Sequence, residues 1–534
     1  MKRTSIMWIT ALVLGWCFDF LFWKQGMGIN FALYVALCLG GGFLVLALNG
    51  IKPAWRSLLL LIPILFFAAV TFIRRDEISL LLSYLLTLGL MALLAVSYLG
   101  GRWSWYGLAD YVANYAKLVG SMLARPFIFL SETRKAAAAQ PTDGQAIVPQ
   151  PNRPGWKRFW AILRGILIAL PIVAIFAALL SSADLVFAQR LNDFTKLFRL
   201  ENLPEYIFRV VYILIGAYAL AGVFLHAARK SQDEKLLSEK PLIPQFMGFT
   251  EAAIVLGAVS LLFLLFVLIQ FRYFFGGGAN IGLQGYTYSE YARRGFGELV
   301  GVAFCSLLLF LGLSSIVNRR TQLQRRAFSS LGIGMVVLVG VILVSAFQRM
   351  ILYEAAYGFS RLRIYTHIFM IWLGVLLAVV VVLEFLRRER LFPLAALLAT
   401  IGFAATLALI NVDGSIVRQN VRRAENGAGL DVAYLASLST DSVPALIQAY
   451  QSPRLSAATR DAAGAALACR AYLIPYHNPV DWRAFTLSRF QSEAALKPLQ
   501  PSLKKYTTPS QEWPVTLTSP NGTKFDCSAT TIIG

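Results

Sequence analysis

The stretch ISLLLSYLLTLGLMALLAVSYL (Ile78–Leu99) runs for 22 residues without a charge. A helix rises about 1.5 Å per residue and a hydrocarbon core is about 30 Å thick, so about 20 apolar residues suffice to cross it. This stretch therefore reads as a membrane-spanning helix. Ten further runs on either side of it qualify on the same grounds: Ile6–Trp23, Ile29–Leu48, Ser57–Ile73, Phe159–Ser181, Tyr206–His226, Phe249–Phe271, Gly297–Val317, Ser330–Met350, Tyr365–Leu386 and Leu391–Val412. The chain is thus predicted to be an all-α integral membrane protein of about eleven transmembrane helices, with a small, mostly helical C-terminal extramembrane region. Its composition agrees, since 57% of residues are hydrophobic and only 14% charged. Lys2 and Arg3 precede the first run, but no small-residue cleavage site follows, so it reads as a retained helix rather than a signal peptide.

The net charge of +21 is distributed as topology requires. Lys and Arg gather in alternate loops: Lys52 and Arg56, then Arg134 to Arg158, then Arg229 to Lys240, then Arg319 to Arg326, then Arg387 to Arg390. This positive-inside pattern places the N-terminus in the cytoplasm, and an odd number of spans puts the tail outside. It also argues against nucleic-acid binding, which needs a basic soluble domain interleaved with aromatics. The expected partner is the lipid bilayer, whose anionic headgroups suit such loops.

Four regions follow from the patterning. Residues 1–100 form a four-helix membrane group. Residues 101–158 hold an amphipathic, aromatic interfacial helix (Trp103–Leu130) and a Pro/Ala/Gln-rich linker. Residues 159–412 form a seven-helix membrane body, and residues 413–534 an extracytoplasmic tail. Helices are expected there around Leu430–Leu438, Ser442–Tyr450 and Ala457–Tyr472, with an irregular or weakly β end from Pro509. Cys17, Cys38 and Cys305 fall within spans as small core residues. Cys469 and Cys527 fall in the tail, where an oxidising compartment would allow one disulfide.

Two predicted outer loops carry more polar and aromatic residues than a connection needs. In RYFFGGGANIGLQGYTYSEYARRGFGEL (Arg272–Leu299), Thr287 and Glu290 make a capping-box pattern, and Tyr291, Arg294 and Glu298 share a helical face near Tyr288. In SAFQRMILYEAAYGFSRLRIYTHIF (Ser345–Phe369), Arg349, Tyr353 and Tyr357 form one stripe beside Glu354. Gly358 ends that helix, and Arg363 and His367 enter the next span. Charge near hydrocarbon faces the bundle interior or a water-filled cavity. Two readings follow. Either these residues line an outward polar pocket, with Glu298 and Glu354 as acid or base and the arginines as anion clamps, or Arg–Glu pairs tie helices together within a tyrosine belt. Asp19, inside the first span, requires a partner there, either for helix packing or for proton relay. No metal-ligand spacing, phosphate loop, nucleophile elbow or dinucleotide fingerprint occurs, so no cofactor and no metal is expected.

The segments Tyr288–Phe296, Arg349–Tyr353, Tyr357–Gly358 and Arg361–Arg363 give the chain a family likeness. It resembles a bacterial polytopic family catalogued as a domain of unknown function, the 4173 type. The likeness extends from about Phe159 through Arg418–Asn420 and Leu430–Leu446, with Ser289 standing where a small Ala is usual. It implies a bacterial inner-membrane protein and transfers no activity. Three functions stand open: a component that binds or regulates an anionic lipid or envelope precursor, a membrane-embedded transferase or hydrolase using Glu298 or Glu354, and a secondary transporter. The last is disfavoured because the ionisable residues crowd toward one membrane face rather than the midplane.

Overall fold

The fold is given by a computed structural model. It describes residues 3–138, 203–229, 246–274, 296–473, 481–507 and 515–527, with scattered positions between 165 and 190 and at 231 and 236. The chain is an all-α, multi-pass membrane protein, and ten helical segments among the described residues are long and apolar enough to cross a bilayer. The first five helices are α1 (Thr4–Phe22), α2 (Ile29–Leu48), α3 (Trp55–Leu58), α4 (Leu61–Ile73) and α5 (Glu77–Val96). Together α3 and α4 make one crossing, broken just ahead of Pro63, which sits in the first turn of α4 where a missing N–H is tolerated. Next come α6 (Leu108–Ala138), then α7 (Leu203–Arg229), α8 (Phe249–Phe274), α9 (Phe296–Ile316), α10 (Gln322–Tyr357), α11 (Arg361–Phe385) and α12 (Phe392–Ile410). Of these, α6 is not among the ten crossings. The expected span Phe159–Ser181 lies largely outside the described residues.

The spans form two packed sets. In the first, α1, α2, α4 and α5 are joined by α7, which packs on α1 and α6. A Cβ on Gly15 of α1 would come within 2.7 Å of the Ile213 carbonyl of α7, so the two backbones meet closely. The second set, α8 to α11, shares a core that includes Ala252, Leu256, Ala303, Phe328, Met335 and Leu377. Between them, α12 touches α11 on one side and α4 and α5 on the other. Trp372 of α11 donates to Thr406 of α12 at 3.1 Å. A short parallel pair of strands, β1 (Met247–Gly248) and β2 (Val317–Asn318), ties the start of α8 to the end of α9.

Beyond α12 the chain builds a compact tail on one end of the bundle. It holds α13 (Val412–Glu425), α14 (Val432–Ser437), α15 (Val443–Gln451), α16 (Ala457–Leu473) and α17 (Leu487–Leu496), then the hairpin β3 (Thr516–Thr518) and β4 (Lys524–Asp526). Three tail helices fall where the sequence predicts them. Cys469 on α16 is joined to Cys527 after β4 by a disulfide spanning 58 residues, and both are fully buried. Leu446, Leu467 and Leu517 sit in the same core, which continues into the bundle through Ile368 and Leu407. The tail is therefore docked. Phe485 accepts from the Ile29 N–H at 2.9 Å, Arg483 donates to the Phe20 carbonyl at 2.6 Å, and Asp441 accepts from the Arg75 N–H at 2.6 Å.

Candidate functional site

The strongest concentration of polar chemistry lies where α10 and α11 meet the tail. The long α10 starts on a capping box, in which Thr321 accepts from the Gln324 N–H and the Gln324 side chain accepts from the Thr321 N–H, both at 3.2 Å. It ends at Gly358, whose φ of 81° lies in the left-handed region. The last turn of any helix leaves carbonyls without partners. Here Arg423 of α13 supplies them, donating to Ala355 O at 3.2 Å and Ala356 O at 3.0 Å. Asn420 accepts from the Phe359 N–H at 2.8 Å and donates to the Phe359 carbonyl at 2.9 Å. A positive side chain at a helix C-terminus also complements its dipole.

Arg361 fixes the start of α11. Its guanidinium forks onto Asp413 at 2.8 and 2.7 Å, and Asp413, fully buried, also accepts from the Ser439 N–H at 2.6 Å. Burial alone would raise the Asp413 pKa, but the Arg361 fork, its charge and the Ser439 donors outweigh it and hold the carboxyl below the usual range. The Arg361 N–H donates to the Tyr434 hydroxyl at 2.8 Å. Burial pushes the Tyr434 hydroxyl up, so this phenol stays neutral and keeps its proton.

These contacts enclose a cavity of about 630 Å³. Tyr353 and Tyr357 of α10, Arg363 and Thr366 of α11, and Arg423 and Tyr434 of the tail are among its lining residues. Arg363 donates to the Gly358 carbonyl and lies 4.2 Å from the Tyr353 ring centroid. Among the described residues, neither Arg363 nor Arg423 forms an ion pair with a carboxylate. Asp431 is the one acidic lining residue, and it accepts from the Tyr434 N–H at 2.9 Å as the cap of α14. The site thus offers two guanidinium groups and several hydroxyls to an oxyanion.

The sequence-predicted residues divide. Tyr353, Tyr357 and Arg363 line the cavity. Glu354 does not: it is 3% exposed and faces His367, whose Nδ1 lies 3.2 Å from its Oε1, with Phe347 edge-on to the imidazole at 4.2 Å. Arg349 is half-buried one turn deeper on α10 and is also outside the lining. Glu298 stands exposed in the first turn of α9 and is not among the lining residues. Tyr288, Tyr291 and Arg294 lie outside the described residues. Gln270, near the end of α8, accepts from Ser345 at 2.5 Å and so serves packing of α8 on α10. Asn420, Arg423 and Tyr434 were not singled out from sequence, although Arg418–Asn420 and Leu430–Leu446 carry part of the family likeness. The missing signal was Val412, Ile416, Val417 and Val421, an apolar stripe behind the N-cap Asn411 that marks α13 as a docked helix.

No curated protein and no solved structure matches the chain. The family likeness needs two corrections. The 4173 type is the wrong number, and the match begins in the third crossing rather than near Phe159, and closes within α15. It covers residues 61–449, which take in α10, α11, α13 and the whole cavity lining, and the chain belongs to the family described as domain of unknown function (DUF4153).

Proposed function

We propose that this protein binds the anionic headgroup of a lipid or envelope precursor in the cavity between α10, α11 and the tail, and acts as a binding or regulatory component of a bacterial cytoplasmic membrane. One observation carries the reading. The guanidinium groups of Arg363 and Arg423 are held by backbone carbonyls and an aromatic ring, so their charge is left for a ligand. The Tyr434 hydroxyl accepts from the Arg361 N–H, and Tyr434 lines the same space.

In this reading the N-terminus is inside and the tail outside. The tail disulfide supports that orientation, because such bonds persist in oxidising compartments. So do the arginines of the α9–α10 and α11–α12 turns, which lie at the bundle end opposite the tail. The acid/base alternative has less support, since Glu354 is turned to His367 and neither Glu354 nor Glu298 is among the lining residues.

Thermal unfolding of the detergent-solubilised full chain tests the proposal. Dioctanoyl phosphatidylglycerol should raise the Tm more than dioctanoyl phosphatidylcholine, and Arg363→Gln should abolish the difference. Equal stabilisation by both lipids, or an undiminished response in Arg363→Gln, would contradict it. Arg423 is a poorer target because it also caps α10.

A further inference from the structure

A second, apolar trough of about 430 Å³ lies between the same two helices, deeper in the bundle. Its walls run from Phe347 to Val336 on α10 and from Met370 to Val381 on α11. Eleven residue steps at about 1.5 Å make each wall about 17 Å long. The trough and the polar cavity nearly join. Phe347 stands one turn from Met350, Met370 stands one turn from Thr366, and Met350 and Thr366 both line the cavity.

Two glycines give the trough its depth. A Cβ added at Gly340 would meet nothing within 4 Å, and one at Gly374 would meet only Leu343, at an ordinary 3.6 Å. The rim residues Val344 and Ile371 are 59% and 51% exposed, which inside a bilayer means exposed to lipid.

Resting on the headgroup reading above, we infer that cavity and trough are one site for an anionic lipid, with one acyl chain laid between Gly340 and Gly374 and the headgroup at Arg363 and Arg423. The closeness of the charged cavity, one turn away on both helices, is what selects a lipid. A helix seated in the trough would fill the apolar part and leave both guanidinium groups unanswered. A soluble anion would answer the arginines and leave a chain-shaped trough unused. The lipid also explains the placement of the buried Glu354–His367 pair. Phe347 packs on His367, so the pair fixes the wall where the two compartments meet.

Native mass spectrometry of the full chain in dodecyl maltoside separates the parts. The probes are dioleoyl phosphatidylglycerol, its dihexanoyl analogue and dioleoyl phosphatidylcholine. The wild type should retain dioleoyl phosphatidylglycerol best. Gly340→Leu, whose Cβ meets nothing within 4 Å, should cut that retention about tenfold, the effect of losing roughly two buried methylenes, and spare the dihexanoyl lipid. Val344→Trp should act in the same direction and keeps the test informative if Gly340→Leu does not fold. Arg363→Gln should weaken both phosphatidylglycerols. Unchanged long-chain retention in both trough variants, with Arg363→Gln still weakening it, would overturn the acyl-chain assignment and leave the headgroup reading standing. No effect of Arg363→Gln on either lipid would sink the headgroup reading itself. A change of oligomeric state in the trough variants, with lipid retention intact, would give the trough to a second copy and overturn the inference.

Discussion

Asp19 and Asp413 are both buried carboxylates gripped by an arginine fork, and they do different things. Asp19, in α1, receives Arg209 of α7 at 2.9 and 2.5 Å and also the Tyr212 hydroxyl. Trp23 stacks on Tyr212 with ring centroids 5.9 Å apart, and Arg209 lies 5.3 Å from the Trp23 ring. The charge is answered, covered by aromatics, and spent on holding two helices together. Asp413 receives Arg361 with similar geometry, but two residues on the chain presents Arg363 to a cavity, and among the described residues Arg363 has no carboxylate partner. A charge in a membrane bundle is therefore a pointer to function only after its neutralisation has been checked. The first fork is architecture, and the second is the frame of a site.

The sharpest way to break this distinction is to remove each carboxylate. Asp413→Ala leaves Arg361 partly buried with only the exposed Glu77 carboxylate, 3.6 Å away, to answer it, and should destabilise the docked tail by about 3 kcal/mol. Limited proteolysis should then cut the tail, and the phosphatidylglycerol response should disappear. Asp19→Ala should also lower the Tm yet keep that response. If both variants lose it equally, the two forks are not functionally distinct.

Gly358→Ala should have a smaller effect. At φ 81° and ψ −176° the backbone is in a region open essentially to glycine alone, and a Cβ there costs about 1–3 kcal/mol. The added atom would also come within 2.5 Å of the Arg423 guanidinium and 2.6 Å of Asn420 Oδ1. The variant should fold with a lowered Tm and a weakened phosphatidylglycerol response. A full response would detach the α10 cap from the site.

The smallest expected effect is a pH dependence at Asp76, the N-cap of α5. Its Oδ1 accepts from the Ser79 N–H at 3.0 Å and the Tyr365 hydroxyl at 3.2 Å. Burial, with lesser help from the nearby Asp413 and Asp441 charges, pushes its carboxyl up despite the Ser79 donors. A group whose folded pKa is raised costs stability while ionised, so its contribution improves as pH falls through that pKa. Asp413 has the opposite sign and loses its contribution only below the ordinary carboxylate range, about 3.9. As pH falls from neutral toward the ordinary carboxylate value of about 3.9, only Asp76 of the two should change its contribution. The Tm should gain an increment on acidification that Asp76→Asn lacks, and identical pH profiles would contradict the assignment.

Most of the membrane fold was legible because long uncharged runs admit one reading in a bilayer. Ends were less so. The ninth crossing, expected over Ser330–Met350, is a helix from Gln322 to Tyr357, since polar residues extend it past the hydrocarbon on both sides. The site was legible in half. Tyr353, Tyr357 and Arg363 stood out because aromatic and charged residues are costly at a span end. Asn420, Arg423 and Tyr434 did not, because on a polar tail such residues look like any solvated face. Only the turn at Asn411, with its φ of 54°, folds α13 back against α10 and converts them into lining. Glu354 misled for the converse reason. Helical spacing set it beside the tyrosine stripe, but the neighbouring face turns it inward to His367.

If the junction of α10, α11 and the tail holds an anionic lipid, the lipid should be visible there. An electron cryo-microscopy reconstruction of the full chain in nanodiscs containing phosphatidylglycerol tests this most directly. Headgroup density is expected within hydrogen-bonding distance of Arg363 and Arg423, continuous with a chain along Gly340 and Gly374. A cavity holding only water, or one closed by a side chain of the protein itself, would contradict it.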